Sequence, residues 1–208
     1  MFSLIFAILS SFKFRRRVTQ SMTGKKLNLG SGRDYKQGWV NLDWNDLDKP
    51  DIVHDLNKFP YPFEEDTFDL IEANHILEHL DRPFEVMREL HRILKSDGTL
   101  IVRVPHFSRG FPHPEHAHGF DVTFPMFFDK SVNLPGYYGF EFDCVKITIT
   151  WEAFIDFLPS RFNGIKPILR LLNAVISFFA NLNIYLFARI WCYWVGGASQ
   201  VEFIFNKK

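Results

Sequence analysis

The chain has 208 residues, 47% of them hydrophobic, which allows one domain of ordinary size with a substantial core. Its 24 Lys and Arg equal its 24 Asp and Glu, so no global basic field exists to attract nucleic acid, and no strong local patch stands in for one. The two cysteines, Cys144 and Cys192, have neither metal-ligand spacing nor a framework count, and they fit inert thiols in a reducing compartment.

Residues 1–14 form an apolar stretch followed by Lys13 and Arg15, Arg16 and Arg17. A secretory signal carries its charge before the apolar part, so this order argues against export and for the cytoplasm. The stretch is also too short to span a bilayer. It reads as a helix lying in the membrane interface with its arginines on anionic head groups, or as one docked on the protein's own core or a second subunit. Residues 1–24 are therefore set apart from a domain over 25–208, and oligomerisation is left open.

Lys26 to Leu29 alternates apolar and polar residues as a buried strand does, and Gly30-Ser31-Gly32 then lets bare backbone approach a bound molecule. A plain tight turn has the same signature. Gly38 to Asp43 is a second strand, ending in the carboxylate that a doubly wound nucleotide fold places on ribose hydroxyls. Asp51 to Leu56 is a third, and Phe68 to Ala73 a fourth, running into Asn74 and His75. Too few residues separate the first three strands for the usual crossovers of about a dozen residues. One sheet face is then thinly covered, and apolar surface from elsewhere in the chain has to protect it.

Asp81-Arg82-Pro83 predicts an N-cap and a first-turn proline for a helix with Phe84, Met87, Leu90, Ile93 and Leu94 on one stripe, ended by Gly98. Thr99 to Val104 is a fifth strand. The unusual stretch is 105–121, which holds half of the eight histidines at the end of a central strand, where open α/β sheets bind ligands. His106, His116 and His118 are candidate bases for taking a proton from an acceptor hydroxyl. A metal reading would use His113, His116 and His118 with Glu115 and Asp121, but this spacing matches no recognisable ligand set, so no metal is assigned. The aromatic run around Phe124, Phe127 and Tyr138 is read as core. Phe142 to Trp151 and Gln200 to Asn206 are the last two strands. Between them, 152–199 is a hydrophobic helical insertion, uncharged from Leu171 to Ala188. Asn173, Asn181 and Asn183 argue against a membrane span, and an interfacial or core-covering helical pair fits better.

Taken together, Leu27 to Gly32, Asp43, Asp55-Leu56 with Phe59 to Phe63, Asp66 to Asp69, Leu77 to Leu80 and Leu94 to Leu100 resemble a class I S-adenosylmethionine-dependent methyltransferase. The resemblance is strongest to a branch found with polysaccharide and glycolipid biosynthesis, where Gly38-Trp39-Val40-Asn41-Leu42-Asp43 follows the glycine turn closely. Two departures are Arg33-Asp34 where a third glycine is usual, and Ser96-Asp97-Gly98 in place of a Pro-Gly-Gly turn. The resemblance implies an α/β, Rossmann-like sheet of seven strands, mostly parallel, with the last strand antiparallel between the fifth and sixth. It implies S-adenosylmethionine as cofactor, bound through Leu29, Gly30, Ser31, Gly32, Asp43, Asp55, Leu56, Asn74 and His75. Asp55 and Leu56 would lie beside the adenine. Asn74 and His75 would stand where the sulfonium meets the acceptor, and His75 would orient substrate, accept a proton, or merely cap a helix. The expected reaction is O-methylation of a sugar or lipid-linked glycan at the inner membrane surface. The alternatives are methylation of an isoprenoid quinone or other lipid, and an inactive scaffold that binds a membrane partner.

Overall fold

The computed structural model describes residues 24–110, 113–132 and 136–208, so the apolar and basic segment over 1–17 lies outside the described residues. Seven strands form one sheet: β1 (Lys26–Leu29), β2 (Val40–Asp43), β3 (Ile52–Val53), β4 (Phe68–Asn74), β5 (Leu94–Pro105), β6 (Phe142–Thr150) and β7 (Gln200–Lys207). Their order is β3-β2-β1-β4-β5-β7-β6. The first five are parallel neighbours, and β7 runs antiparallel to both β5 and β6. This is the expected Rossmann-like architecture. The third strand is shorter than predicted, leaving Asp55 and Leu56 in the turn beyond it.

No helix fills the first two crossovers. The loop after β1 is held instead by buried amides, since Asn28 Nδ2 donates to Asp34 O at 2.7 Å and to Asn41 Oδ1 at 3.0 Å. Asn41 Nδ2 in turn donates to Asp51 Oδ2 at 2.9 Å, which fastens the entry to β3. Each contact satisfies polar groups that a crossover helix would otherwise satisfy for itself.

The two sheet faces are unequal. One carries the main core, including Leu27, Leu29, Ile71, Val102, Phe203 and Phe205. On the other, Leu70, Ile101 and Ile204 form a small cluster on which, among the described residues, only Trp39 packs. The rest of that face is an ionic ladder: Lys36 Nζ reaches Glu72 Oε2 at 2.9 Å, Arg103 Nη1 reaches the same oxygen at 3.0 Å, and Arg103 Nε reaches Glu202 Oε2 at 2.7 Å. Burial alone would raise the Glu72 carboxyl, but Arg103 and Lys36 outweigh it and hold it at about 2.

Helix α1 (Pro83–Ile93) buries Val86, Met87, Leu90 and Ile93 on the main core face. Two details differ from the sequence reading. Arg82, not Asp81, is the capping position, with no side-chain cap bond, and the helix stops at Ile93 because Leu94 is already extended and paired with Phe68. Asp97 takes the left-handed position of the following turn, with φ 65°, so Gly98 does not end the helix. A short helix, α2 (Phe107–Gly110), follows β5.

The insertion contains two 3-10 turns, then α3 (Lys166–Leu182), α4 (Ile184–Leu186), a π-helical turn (Phe187–Trp191) and α5 (Cys192–Trp194). The polar stripe of α3 faces inward and caps the edge of β6: Asn181 Oδ1 accepts from Ile149 N at 2.8 Å, Ser177 Oγ from Trp151 N at 3.0 Å, and Asn173 Oδ1 from Glu152 N at 3.0 Å. The apolar side of the insertion therefore looks outward. Leu171, Phe179 and Leu182 are more than 60% exposed, and Trp194 is 85% exposed. Its buried Ala180, Phe187, Ala188 and Ala198 join the main core and none of its residues joins the small cluster, so the insertion does not cover the thin face as the sequence suggested. No single described helix is long and apolar enough to cross a membrane, although α3 and the segment Ile184–Trp194 would pass together as a pair bent by 107°.

Candidate active site

The carboxyl ends of β1, β2 and β4 bring the predicted cofactor residues to one edge. Gly30 and Gly32 have φ of 65° and 43°, and a β carbon on Gly30 would lie 2.6 Å from Cγ1 of Ile76, so the turn after β1 is packed directly under the segment leaving β4. Around Gly32 a β carbon would meet nothing within 4 Å, which leaves bare backbone facing open space. Asp43 is 6% exposed, and its carboxylate accepts from Gly32 N at 2.8 Å and from Asn45 N at 3.0 Å, so acid and turn are one unit. Ser31 Oγ is buried with no hydrogen-bond partner among the described residues. An open backbone cradle, an unmatched hydroxyl and a carboxylate at the next strand end fit the ribose and amino-acid portions of an adenosyl cofactor.

The remaining cofactor candidates differ in what they offer. Leu29 is wholly buried and Leu56 nearly so, leaving their backbone as the usable part. The Leu56 carbonyl already accepts from Tyr61 Oη at 3.0 Å. Asp55 is exposed, accepting from Asn57 N at 3.0 Å with Lys58 Nζ 3.5 Å away. The Asn74 side chain is turned to the ionic ladder, where its Oδ1 accepts from Arg103 Nη1 and its Nδ2 donates to Glu72 Oε2 at 3.3 Å.

His75, with φ 50°, opens a cavity of about 500 Å³ beside this edge, lined also by Glu78, His79, His113, His116 and Phe154. Its Nε2 donates to Gln200 Oε1 at 2.9 Å, and its Nδ1 lies 3.3 Å from Glu78 Oε1. Burial alone would lower its pKa, but Glu78 and Gln200 outweigh burial and raise it. His75 is thus fixed by one hydrogen bond, to Gln200, with the Glu78 carboxylate beside its other ring nitrogen.

The histidine loop divides. His116 is carried to the His75 cavity because Ala117 N donates to Glu78 O at 2.9 Å, stitching the loop to the 3-10 turn Leu77–His79. His118 lines a separate cavity with Phe84, Phe107, Phe120, Asp121 and Tyr193. His106 lines neither cavity, is wholly buried with Nδ1 2.8 Å from Ser108 Oγ, and burial pushes its pKa down to about 4. Sequence reasoning did not give Glu78, His79 or Gln200 a role at this site. The available signal was an acid and a histidine in the first turn after β4, within Leu77-Glu78-His79-Leu80.

Comparison with known proteins agrees with this geometry. Residues 25–102 match the model of a methyltransferase domain. An uncharacterized protein of Methanocaldococcus jannaschii, MJ0638, is 32% identical over 117 residues, covering 56% of this chain and 46% of that protein. The chain thus spans a little under half the length of that curated relative. Among solved structures, a SAM-dependent methyltransferase from Archaeoglobus fulgidus superposes with a TM-score of 0.58 at 17% identity, over 96% of this chain and 93% of that one. The [4+2]-cyclase SpnF superposes with a TM-score of 0.53 at 15% identity, over 94% of this chain and 80% of that one. Residues 25–102 thus resemble a methyltransferase domain, and the fold of the chain is the one seen in the SAM-dependent methyltransferase from Archaeoglobus fulgidus.

Proposed function

We propose that this chain is an S-adenosylmethionine-dependent methyltransferase that methylates a hydroxyl of a sugar or lipid-linked glycan, working peripherally on the cytoplasmic face of a membrane. The cofactor, when bound, supplies an electrophilic methyl group. The chain's part is to bind, orient and keep out water, through Gly30, Ser31, Gly32 and Asp43 on the cofactor side and His75 on the acceptor side.

The observation that carries the membrane reading is the inverted insertion. Its polar stripe is spent on the β6 edge and its apolar side is left exposed. That apolar surface begins at the cavity wall, since the Phe154 ring lies 5.4 Å from that of His75 and 6.1 Å from that of Phe157, which is 83% exposed. An acceptor held in a bilayer by its lipid tail would approach along this surface with its head group at His75. Arg170 and Arg189, which bracket the uncharged run, pair with Asp156 and Asp121, so the insertion's own share of attachment would rest on apolar contact. A quinone or other lipid acceptor would use the same surface.

The test is to incubate the full chain with methyl-labelled S-adenosylmethionine and membranes from the cells that make it. Label should enter an organic extract and leave the lipid on mild acid hydrolysis, as a glycan on a phosphate link does, and Asp43→Ala should transfer none. Acid-stable label would favour a lipid acceptor. No label, with no binding of S-adenosylhomocysteine by the folded chain, would sink the enzymatic reading.

A further inference from the structure

We propose that Glu78, His79 and His116 form a binding site for a divalent transition-metal ion on the wall of the His75 cavity. Each offers one ligand atom, and the three atoms lie within 4.8 Å of one another. Ligands about 2.1 Å from a shared ion stand roughly 3 to 4 Å apart, so a small side-chain rotation closes the set.

The independent sign of a missing partner is Glu78. Its side chain is wholly buried, and neither carboxylate oxygen accepts a hydrogen bond from a described residue, the 3.3 Å approach of His75 Nδ1 being misaligned for one. A carboxylate shut away from water without donors is costly, and such groups are paired or coordinate metals. Around it the rings of His79 and His116 lie 4.8 Å apart, and that of His113 lies 4.5 Å from His116 and 5.8 Å from His79. Two of these imidazoles, His79 and His116, bring a nitrogen close enough to the buried acid for one dication to join all three. The placement is built into the backbone, because the bond from Ala117 N to Glu78 O brings loop and turn together.

Two imidazoles and one carboxylate suit zinc, iron, cobalt or manganese, whereas magnesium and calcium prefer oxygen alone. Three protein ligands leave coordination positions open. All three residues line the cavity, and, resting on the transfer reading above, an ion held there would bind the acceptor hydroxyl and ease loss of its proton.

The test uses the full chain in detergent, stripped with chelator and titrated with Co²⁺ by visible absorption and with Zn²⁺ by calorimetry. One ion per chain should bind, with cobalt bands of nitrogen and oxygen ligation. Affinity should fall roughly tenfold or more in Glu78→Gln, His79→Ala and His116→Ala, and stay unchanged in His118→Ala. Circular dichroism and S-adenosylhomocysteine binding on the same samples confirm the fold and the cofactor side. Wild-type affinity in His79→Ala and His116→Ala, or no uptake by the folded wild type, overturns the inference. Metal uptake without S-adenosylhomocysteine binding would instead sink the methyltransferase reading and leave the metal site standing.

Discussion

At Gly30 two separate penalties await a side chain: the left-handed backbone, with φ 65°, and the collision with Ile76. At Gly32 only the first applies, since nothing lies within 4 Å of a β carbon there. Gly32→Ala should therefore cost about 1 kcal/mol of stability and Gly30→Ala about 3 kcal/mol, both read from urea unfolding. Equal losses would mean that Ile76 yields freely and does not fix the turn. Gly30 was legible because strand, glycine pair and following acid are local signals. His116 was not distinguishable from His118, two residues away, because the loop's path is set by a long-range bond to the carbonyl of Glu78.

Among the elements, α3 shows how a helix can be legible while the direction of its faces is not. The four-residue spacing of Asn173, Ser177 and Asn181 is visible in the sequence, but periodicity says only that these side chains share a face. The direction of that face is decided by β6, a sheet edge whose backbone needs partners. Asn181 meets that need twice, accepting from Ile149 N at 2.8 Å and donating to Ile149 O at 2.7 Å. Asn181→Ala should cost about 1 to 3 kcal/mol in urea unfolding and promote self-association in sedimentation through the freed edge. An unchanged melting curve would show that water replaces the amide at no cost. The missing crossover helices, by contrast, followed from chain length alone, although the amide clasp of Asn28 and Asn41 that makes them dispensable did not.

For the molecule as a whole, stability should climb with pH through the acid range in two stages. His106 has its pKa lowered to about 4, so the unfolded chain binds the proton first, and stability falls as pH drops from about 6.5 toward 4. The Glu72 carboxylate is held at about 2, so its contribution is intact above about 4.5 and is lost as pH falls toward 2, on the order of 3 kcal/mol in all. Urea midpoints measured across this range should show both stages, with the lower one absent in Glu72→Gln. A flat profile in the wild type would mean that the ladder is already broken in solution. The ladder itself escaped sequence reading because its members lie on separate strands that only the sheet order makes neighbours. That order also fixes when the protein can work. Of the seven strands β7 leaves the ribosome last, yet it sits between β5 and β6, and it brings Gln200 to His75 and Ser199 to the cavity wall. A nascent chain stopped anywhere before Gln200 holds a sheet split in two and a pocket missing one side, so synthesis must run past the insertion before any ligand finds a finished site.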